Sequence, residues 1–281
     1  MVNTENAQLI SVIIPTHNRL AFLKDAVASV LNQTCCGYEI IVVDDGSTDG
    51  TAEWLSENGI NHISIPHSGF PGCVRNAGVL ALKGKWIAFL DSDDLWKPEK
   101  LSAQKEFLEA HPELELVHTR EIWNRSGKII SQSGQKHSRS GRIFTDALSK
   151  CIIGPSTVIM SRRLFEEFGG FDETLEIAED YEFWLAITAR YPVGFLDIPL
   201  VENRGGHKDQ LSEKYGYIEL FRIKALEKTL ERGIYTGQEQ KLIHETLAGK
   251  CMIHALGAFK RGKSEEYEEY SKAAARHAAW S

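Results

Sequence analysis

Short β-branched runs alternate with stretches of helical periodicity through the first hundred residues. Leu9 to Ile14 is a compact apolar run ended by Pro15, and Ile40 to Val43 is another, ended by Asp44-Asp45-Gly46. Runs this short and this apolar read as strands buried on both faces. Between them Leu20, Leu23, Val27, Val30 and Leu31 recur at helical spacing behind Asn18, a residue suited to capping a helix start, which predicts a strand–helix–strand crossover. The alternation continues with a helix over Thr51 to Glu57, a strand over Asn61 to Ile65, a helix over Cys73 to Lys83 and a strand from Trp86 to Leu90 that runs into Asp91. The expected fold is α/β: a Rossmann-like, mostly parallel sheet flanked by helices. In open sheets of this kind ligands sit beyond the carboxyl ends of the strands, where residues 15–18, 44–45 and 91–93 all fall.

From Pro98 the signals mix. A helix is expected to about Ala110, with strands near Leu114 to His118, Ser156 to Met160 and Pro199 to Val201, and the polar stretch from Asn124 to Arg142 reads as a mobile loop. Beyond Tyr215 only helical patterns remain, to Arg232, from Gly237 to Lys260 and from Ser264 to Ala279. They are expected to form a C-terminal helical appendage serving packing or a homodimer contact.

Composition removes several alternatives. A formal charge of −7 with no basic block argues against a nucleic acid partner. Five scattered cysteines without CxxC spacing suggest neither a disulfide framework nor a zinc site. The polar first residues and the brevity of the run from Leu9 to Ile14 point to the cytoplasm.

The chemistry concentrates at strand ends. Trp86 to Asp94 delivers carboxylates at positions 91, 93 and 94 into solvent. Three acids so close require positive charge among them, and their hard oxygens suit Mg²⁺ or Mn²⁺ bridging a diphosphate; the bland alternative is a turn and a helix cap, a role open to Asp94 above all. Asp45 offers acceptor oxygens to a base or ribose, with Ser47 and Asp49 left for helix capping. Glycines ahead of a helix carrying Arg75 suit phosphate, although an arginine pairing with nearby acids explains them equally; the segment matches neither GxGxxG nor GxxxxGK[ST]. Glu179 and Asp180 open an amphipathic helix, where acids favour the helix dipole, and beside a diphosphate such a carboxylate can take a proton from a hydroxyl. Arg204 and His207 add a cation and an imidazole after a strand, candidates for surface pairing or for metal.

Taken in order, the segments Ser11 to Asn18, Val42 to Ser47, Arg75 to Gly78, Phe89 to Asp94, Gly169 to Asp172 and Glu179-Asp180 resemble the family 2 glycosyltransferases of the GT-A fold. The resemblance spans residues of about 9 to 207 and leaves the helical tail outside. It implies a catalytic domain over 1–212, divided into a nucleotide-binding half (1–97) and an acceptor-binding half (98–212), followed by the helical region 213–281. It implies an inverting transfer from a UDP- or dTDP-linked sugar with Mn²⁺ or Mg²⁺, in cell-surface polysaccharide or glycan synthesis. By motif, Pro15, Thr16, His17, Asn18 and Asp45 would line the nucleoside pocket, joined on the donor side by Arg75, Asp91 and Ser92. Asp93 would be the main metal ligand, His207 would close over the metal, and Asp180 would be the base, with Glu179 and Arg204 in support. The acceptor would be a carbohydrate or a lipid-linked glycan. Phe221, Phe259, Tyr267 and the basic run Lys260-Arg-Gly-Lys263 of the tail leave peripheral contact with the inner face of the membrane open, although internal packing is the expected place of its apolar residues. The chain lacks the Gln-x-x-Arg-Trp motif and the membrane helices of processive relatives, which implies single additions. The rival readings are a sugar-1-phosphate nucleotidyltransferase, whose glycine-rich triphosphate loop is missing at Pro15 to Arg19, and a non-catalytic nucleotide-sugar-binding protein.

Overall fold

The computed structural model describes residues 9–131, 139–206 and 218–280. The first half is the expected crossover series: β1 (Ile10–Thr16), α1 (Leu20–Leu31), β2 (Tyr38–Asp44), α2 (Thr51–Glu57), β3 (His62–Ser64), α3 (Pro71–Ala81) and β4 (Trp86–Phe89). Val12, Ile13 and Ile14 of β1 are all fully buried, because the strand is covered on both faces. Ile13 joins the core under α3 with Val43, Val74, Val79 and Phe89, while Val12 and Ile14 join the core under α1 with Leu23, Val27 and Leu55. This two-sided covering is why the strands read as unbroken apolar runs.

The second half contributes β5 (Leu95–Trp96), α4 (Lys100–Ala110), β6 (Leu116–Arg125), β7 (Lys128–Ile130), α5 (Phe144–Ser149), a 3-10 turn (Pro155–Thr157), β8 (Ile159–Ser161), α6 (Arg162–Glu167), α7 (Glu179–Arg190) and β9 (Gly194–Gly205). The single sheet runs β3-β2-β1-β4-β8-β6-β9-β5, with β7 beside β6. Its first four strands are parallel; from β8 onward antiparallel pairs enter, and β6 with β9 is the parallel pair of that side. The register sets Thr16 beside Asp44 and Ile13 beside Phe89, so the loops after β1, β2 and β4 leave the sheet at one edge.

Three local expectations are corrected. Asn18 does not cap α1: it takes φ 51°, and its Oδ1 accepts from the Thr48 amide at 2.7 Å. Asp49 holds the helix start instead, accepting from the Leu20 amide at 2.9 Å while its other oxygen takes the amide of Thr51 at the head of α2. Ser47 caps no helix and accepts from the Asn18 amide. The stretch expected as a loop from Asn124 opens as a hairpin, with β6 and β7 joined through Ser126 and Gly127, both at positive φ.

The tail forms α8 (Ile218–Glu231), α9 (Gly237–Lys260) and α10 (Ser264–Ala278). It is not a detached appendage. Ile223, Leu226, Ile243, Leu247 and Cys251 form one core with Tyr181, Leu185 and Ala189 of α7.

Candidate active site

The crevice is built on the loop that follows β4. Asp91 and Asp93 keep partly exposed carboxylates, whereas Asp94 turns inward. Asp94 accepts from Ser156 Oγ at 2.6 Å and from the Arg204 amide at 3.3 Å, so it ties the acidic loop to the 3-10 turn and to β9. Burial, with the charges of Asp93 and Asp91, pushes its carboxyl well above the ordinary range. Ser156 Oγ also accepts from the Asp91 amide, and Ser92 is buried beneath the loop. Asp94 therefore takes the structural role, which leaves Asp91 and Asp93 facing the crevice.

The positive charge demanded by these acids comes from two arginines far apart in sequence. Arg19 Nη1 donates to Asp93 Oδ2 at 2.8 Å, and Arg75 Nη2 donates to Asp91 Oδ1 at 2.6 Å. Arg75 is buried, and its other terminal nitrogen donates to Glu179 in the first turn of α7. Facing two carboxylates, its guanidinium is held charged more firmly than an ordinary arginine. One side chain thus joins the acidic loop to the helix that carries Asp180. Burial pushes the Glu179 carboxyl up to about 7, with Arg75 opposing and Asp180 adding to the rise. Asp180 is likewise raised by burial, with Arg75 pulling it back. Its Oδ1 accepts from the Tyr181 amide at 2.7 Å and its Oδ2 receives the Cys151 thiol at 3.5 Å.

The loop after β2 forms the opposite wall. Asp45 is buried and spends its carboxylate on the loop after β3: Oδ1 accepts from the amide and hydroxyl of Ser68, and Oδ2 from the Gly69 amide and His67 Nδ1. The His17 and His67 rings stack at 4.0 Å, each with Nδ1 against the Asp45 carbonyl. Pro15 and Thr16 end β1 beneath them, and the buried Thr16 hydroxyl finds no hydrogen-bond partner among the described residues. Arg204, expected as a second-line cation, donates to the Asp93 carbonyl at 2.7 Å and to Asp25 Oδ2 at 2.7 Å. His207 lies outside the described residues.

The structure therefore brings Asp91, Asp93, Arg75, Glu179 and Asp180 into one cluster and sets Pro15, Thr16, His17, Asn18 and Asp45 along the adjoining wall. Sequence reasoning missed Arg19, His67, Cys151 and Ser156. Among these only His67 carried a visible signal, as the first residue of the glycine-bearing segment before α3. The donor set suits a divalent cation: Asp91 Oδ2 takes no hydrogen bond from the described residues and is a hard oxygen in a partly exposed side chain. Among the described residues, however, the only gathering of three ligand-type side chains is His17, Asp45 and His67, so oxygens from a diphosphate would have to complete a site at Asp91 and Asp93.

The model for Glycosyl transferase family 2 matches residues 11–169. The chain belongs to this family. Among relatives, an uncharacterized glycosyltransferase of Rickettsia felis is 35% identical over 199 residues, which covers 69% of this chain and 33% of that protein. This family member thus spans only a third of that relative's length. The Escherichia coli UDP-Glc:alpha-D-GlcNAc-diphosphoundecaprenol beta-1,3-glucosyltransferase WfgD is 30% identical over 185 residues, covering 64% of this chain and 69% of WfgD. Among solved structures, S. aureus TarS 1–349 in complex with UDP-GlcNAc superposes with a TM-score of 0.64 at 19% identity, covering 96% of this chain and 92% of that one. The mannosyltransferase PcManGT from Pyrobaculum calidifontis, in complex with GDP-Man and Mn²⁺, gives 0.61 at 17% identity, covering 96% and 85%. The GT-A fold of this family member is thereby shown. Among the described residues no helix is long and apolar enough to cross a membrane.

Proposed function

We propose that this chain is an inverting glycosyltransferase that moves a sugar from a UDP-linked donor to a hydroxyl of a carbohydrate or lipid-linked acceptor in surface-glycan synthesis. The observation that carries the reading is the buried Arg75, which binds Asp91 and Glu179 at once and so couples the donor end of the sheet to the residue before Asp180. The UDP-GlcNAc held by TarS and the UDP-glucose and diphosphoundecaprenol in the name of WfgD support a UDP-sugar and a lipid-linked acceptor. Residues 1–97 serve the nucleotide and 98–212 the acceptor, and residues 213–281 brace that second half.

The nucleoside lies along Pro15 to Asn18 and Asp45, with Ser92 closing the floor. Asp45 supports its wall indirectly, by fixing the 67–69 loop. Asp93 and Asp91 would hold Mn²⁺ or Mg²⁺, which when bound would supply charge stabilisation for a departing diphosphate. Arg19, which now donates to Asp93, would share that carboxylate with a bound cation, and His207 is a further ligand candidate. Asp180 accepts the proton of the acceptor hydroxyl as its oxygen attacks the anomeric carbon from the face opposite the diphosphate. Glu179 keeps Arg75 in place, and Arg204 anchors the Asp93 backbone. An acceptor in the lipid phase calls for contact with the inner face of the membrane, and Ile253, Leu256 and Phe259 of α9 are exposed beside Lys260. Flotation with anionic liposomes tests that contact.

The test of the reaction is calorimetric titration with UDP, dTDP and GDP, each with Mn²⁺ and with EDTA, on the native chain and two variants. Asp93→Ala is expected to lose metal-dependent binding. Asp180→Asn is expected to keep UDP binding and to lose transfer by about a hundredfold or more, the lower range for a general base. Normal turnover in the Asp180→Asn variant removes the assigned base, and absence of binding to all three nucleotides by the folded native chain overturns the donor reading.

A further inference from the structure

The wall of the crevice beyond Asp94 carries a pair of side chains that the donor reading does not use. Glu121 and Trp123 sit two residues apart on β6 and therefore share a face. In the parallel register Trp123 lies beside Asn203, whose Nδ2 reaches Asp94 Oδ2 at 3.4 Å, so this is the face turned toward the acidic loop. Trp123 is 38% exposed, large and apolar at the surface, and its indole Nε1 donates to Glu121 Oε1 at 2.6 Å, which fixes the plane of the ring.

The second oxygen of Glu121 takes no hydrogen bond from the described residues, and the Arg139 guanidinium is the cation that acts on this carboxylate. Among the described residues Glu121 takes a hydrogen bond from Trp123 alone, and its Oε2 lies 3.3 Å from the point where a β-carbon on Gly154 would stand. Gly154 belongs to the loop between α5 and the 3-10 turn. Two residues after Gly154, in the 3-10 turn, Ser156 bonds Asp94, and three residues before Gly154 the loop carries Cys151, the thiol against Asp180. One short loop thus touches the candidate base near one end and Glu121 at the other. A side chain at Gly154 would crowd that second oxygen.

A fixed aromatic face beside a carboxylate oxygen that takes no hydrogen bond from the described residues is the chemistry that recognises a pyranose. The ring's C–H face stacks on indole, whose apolar area is large, and two hydroxyls donate to the carboxylate. Resting on the reading of the crevice as a donor site, we propose that Glu121 and Trp123 form the acceptor subsite of this protein and take a neutral hexopyranose or N-acetylhexosaminyl unit, whose attacking hydroxyl then lies toward Asp180.

The test uses the full chain, with and without UDP and Mn²⁺, and methyl glycosides of glucose, galactose, N-acetylglucosamine and N-acetylgalactosamine as probes, followed by saturation-transfer NMR. UDP affinity is measured on the same samples. At least one glycoside is expected to show saturation of the protons on one ring face. Trp123→Ala and Glu121→Gln are each expected to weaken that binding by about tenfold, with UDP affinity within twofold of the native chain. Trp123→Phe, which keeps an apolar face, is expected to retain part of it. Equal glycoside binding in both variants, no binding of any glycoside by the native chain, or preferential binding of tetramethylammonium at the same tryptophan overturns the proposal. Loss of UDP binding in the native chain speaks against the donor reading alone, because the glycoside comparison is also made without UDP.

Discussion

At the scale of single residues the site is an arrangement of compensated charge. Four carboxylates, Asp91, Asp93, Glu179 and Asp180, share two guanidiniums, and burial raises the last two acids above their ordinary range. If Asp180 is the base as proposed, it must be ionised to work, so with its carboxyl raised in this way transfer is expected to be lost as pH falls through weak acidity, sooner than an exposed aspartate would allow. The thiol of Cys151 opposes that rise. Burial and the neighbouring Asp180 charge hold it protonated, so it remains a donor to Asp180 Oδ2 across the working pH range. Other charges face Asp180 from Arg75 on α3, from Asp91 and from Glu179, while Arg222 of α8 acts on Cys151. Cys151→Ala removes the donor, and the acid limb of the kcat/KM profile is expected to move up by roughly half a pH unit, the equivalent of one weak hydrogen bond. A limb that moves down instead would mean that water entering the vacated space outweighs the lost thiol. The motif residues of this site were legible because each sits at a strand or helix end that hydrophobic patterning locates. Arg19 and Cys151 were not, since their partners Asp93 and Asp180 are distant in sequence.

At the scale of elements, the position of α3 governs the rest, because it carries Arg75 across the sheet. The helix lies so close to β1 that a β-carbon on Gly78 would stand 2.5 Å from Ile13 Cγ2 and 3.0 Å from Val43 Cγ2. Both neighbours belong to buried β-branched side chains with little freedom to turn aside. Gly78→Ala is therefore expected to lower stability by about 1–3 kcal/mol, the usual cost of overpacking, despite the better helix propensity of alanine. It is also expected to weaken UDP binding by shifting Arg75 from Asp91. Urea unfolding followed by calorimetry measures both, and a variant as stable as the native chain would show that α3 has slack against the sheet. The same elements explain which parts of the fold could be read in advance. Strands β1, β2 and β4 are covered on both faces and spell themselves out as apolar runs. β9 is longer than its apolar core suggests, because its pairing with β6 passes through irregular register near Arg120 and its outer residues are polar. The hairpin into β7 was hidden by exposure on all three of its residues, although Ser126-Gly127 is a turn signal of the right kind.

At the scale of the whole molecule, the parallel half presents the proposed donor wall, and the candidate base Asp180 sits on a helix that the remainder of the chain holds down. The outer face of α7 is covered by the C-terminal helices, which bury Tyr181, Leu185 and Ala189. Arg232 at the end of α8 adds a second clamp, pairing with the buried Glu182 and donating to the Phe168 carbonyl at 2.6 Å. The tail is thus part of the same folding unit as the site, for all that the family match ends at residue 169. Ending the chain at residue 206 would expose α7 side chains worth about 1.5–3 kcal/mol each and strip Glu182 of the cation it pairs with. Together these approach the whole stability of an ordinary domain, so the shortened chain is expected to be insoluble or unfolded by circular dichroism. A milder change separates folding from function. Arg232→Gln removes the clamp but keeps the helices, and it is expected to leave UDP affinity intact, because the donor wall is built from the other half, while transfer falls as the first turn of α7 loosens around Asp180. A shortened chain that folds and binds UDP like the native one would instead make the tail a separate module, and α7 would then need no support from it.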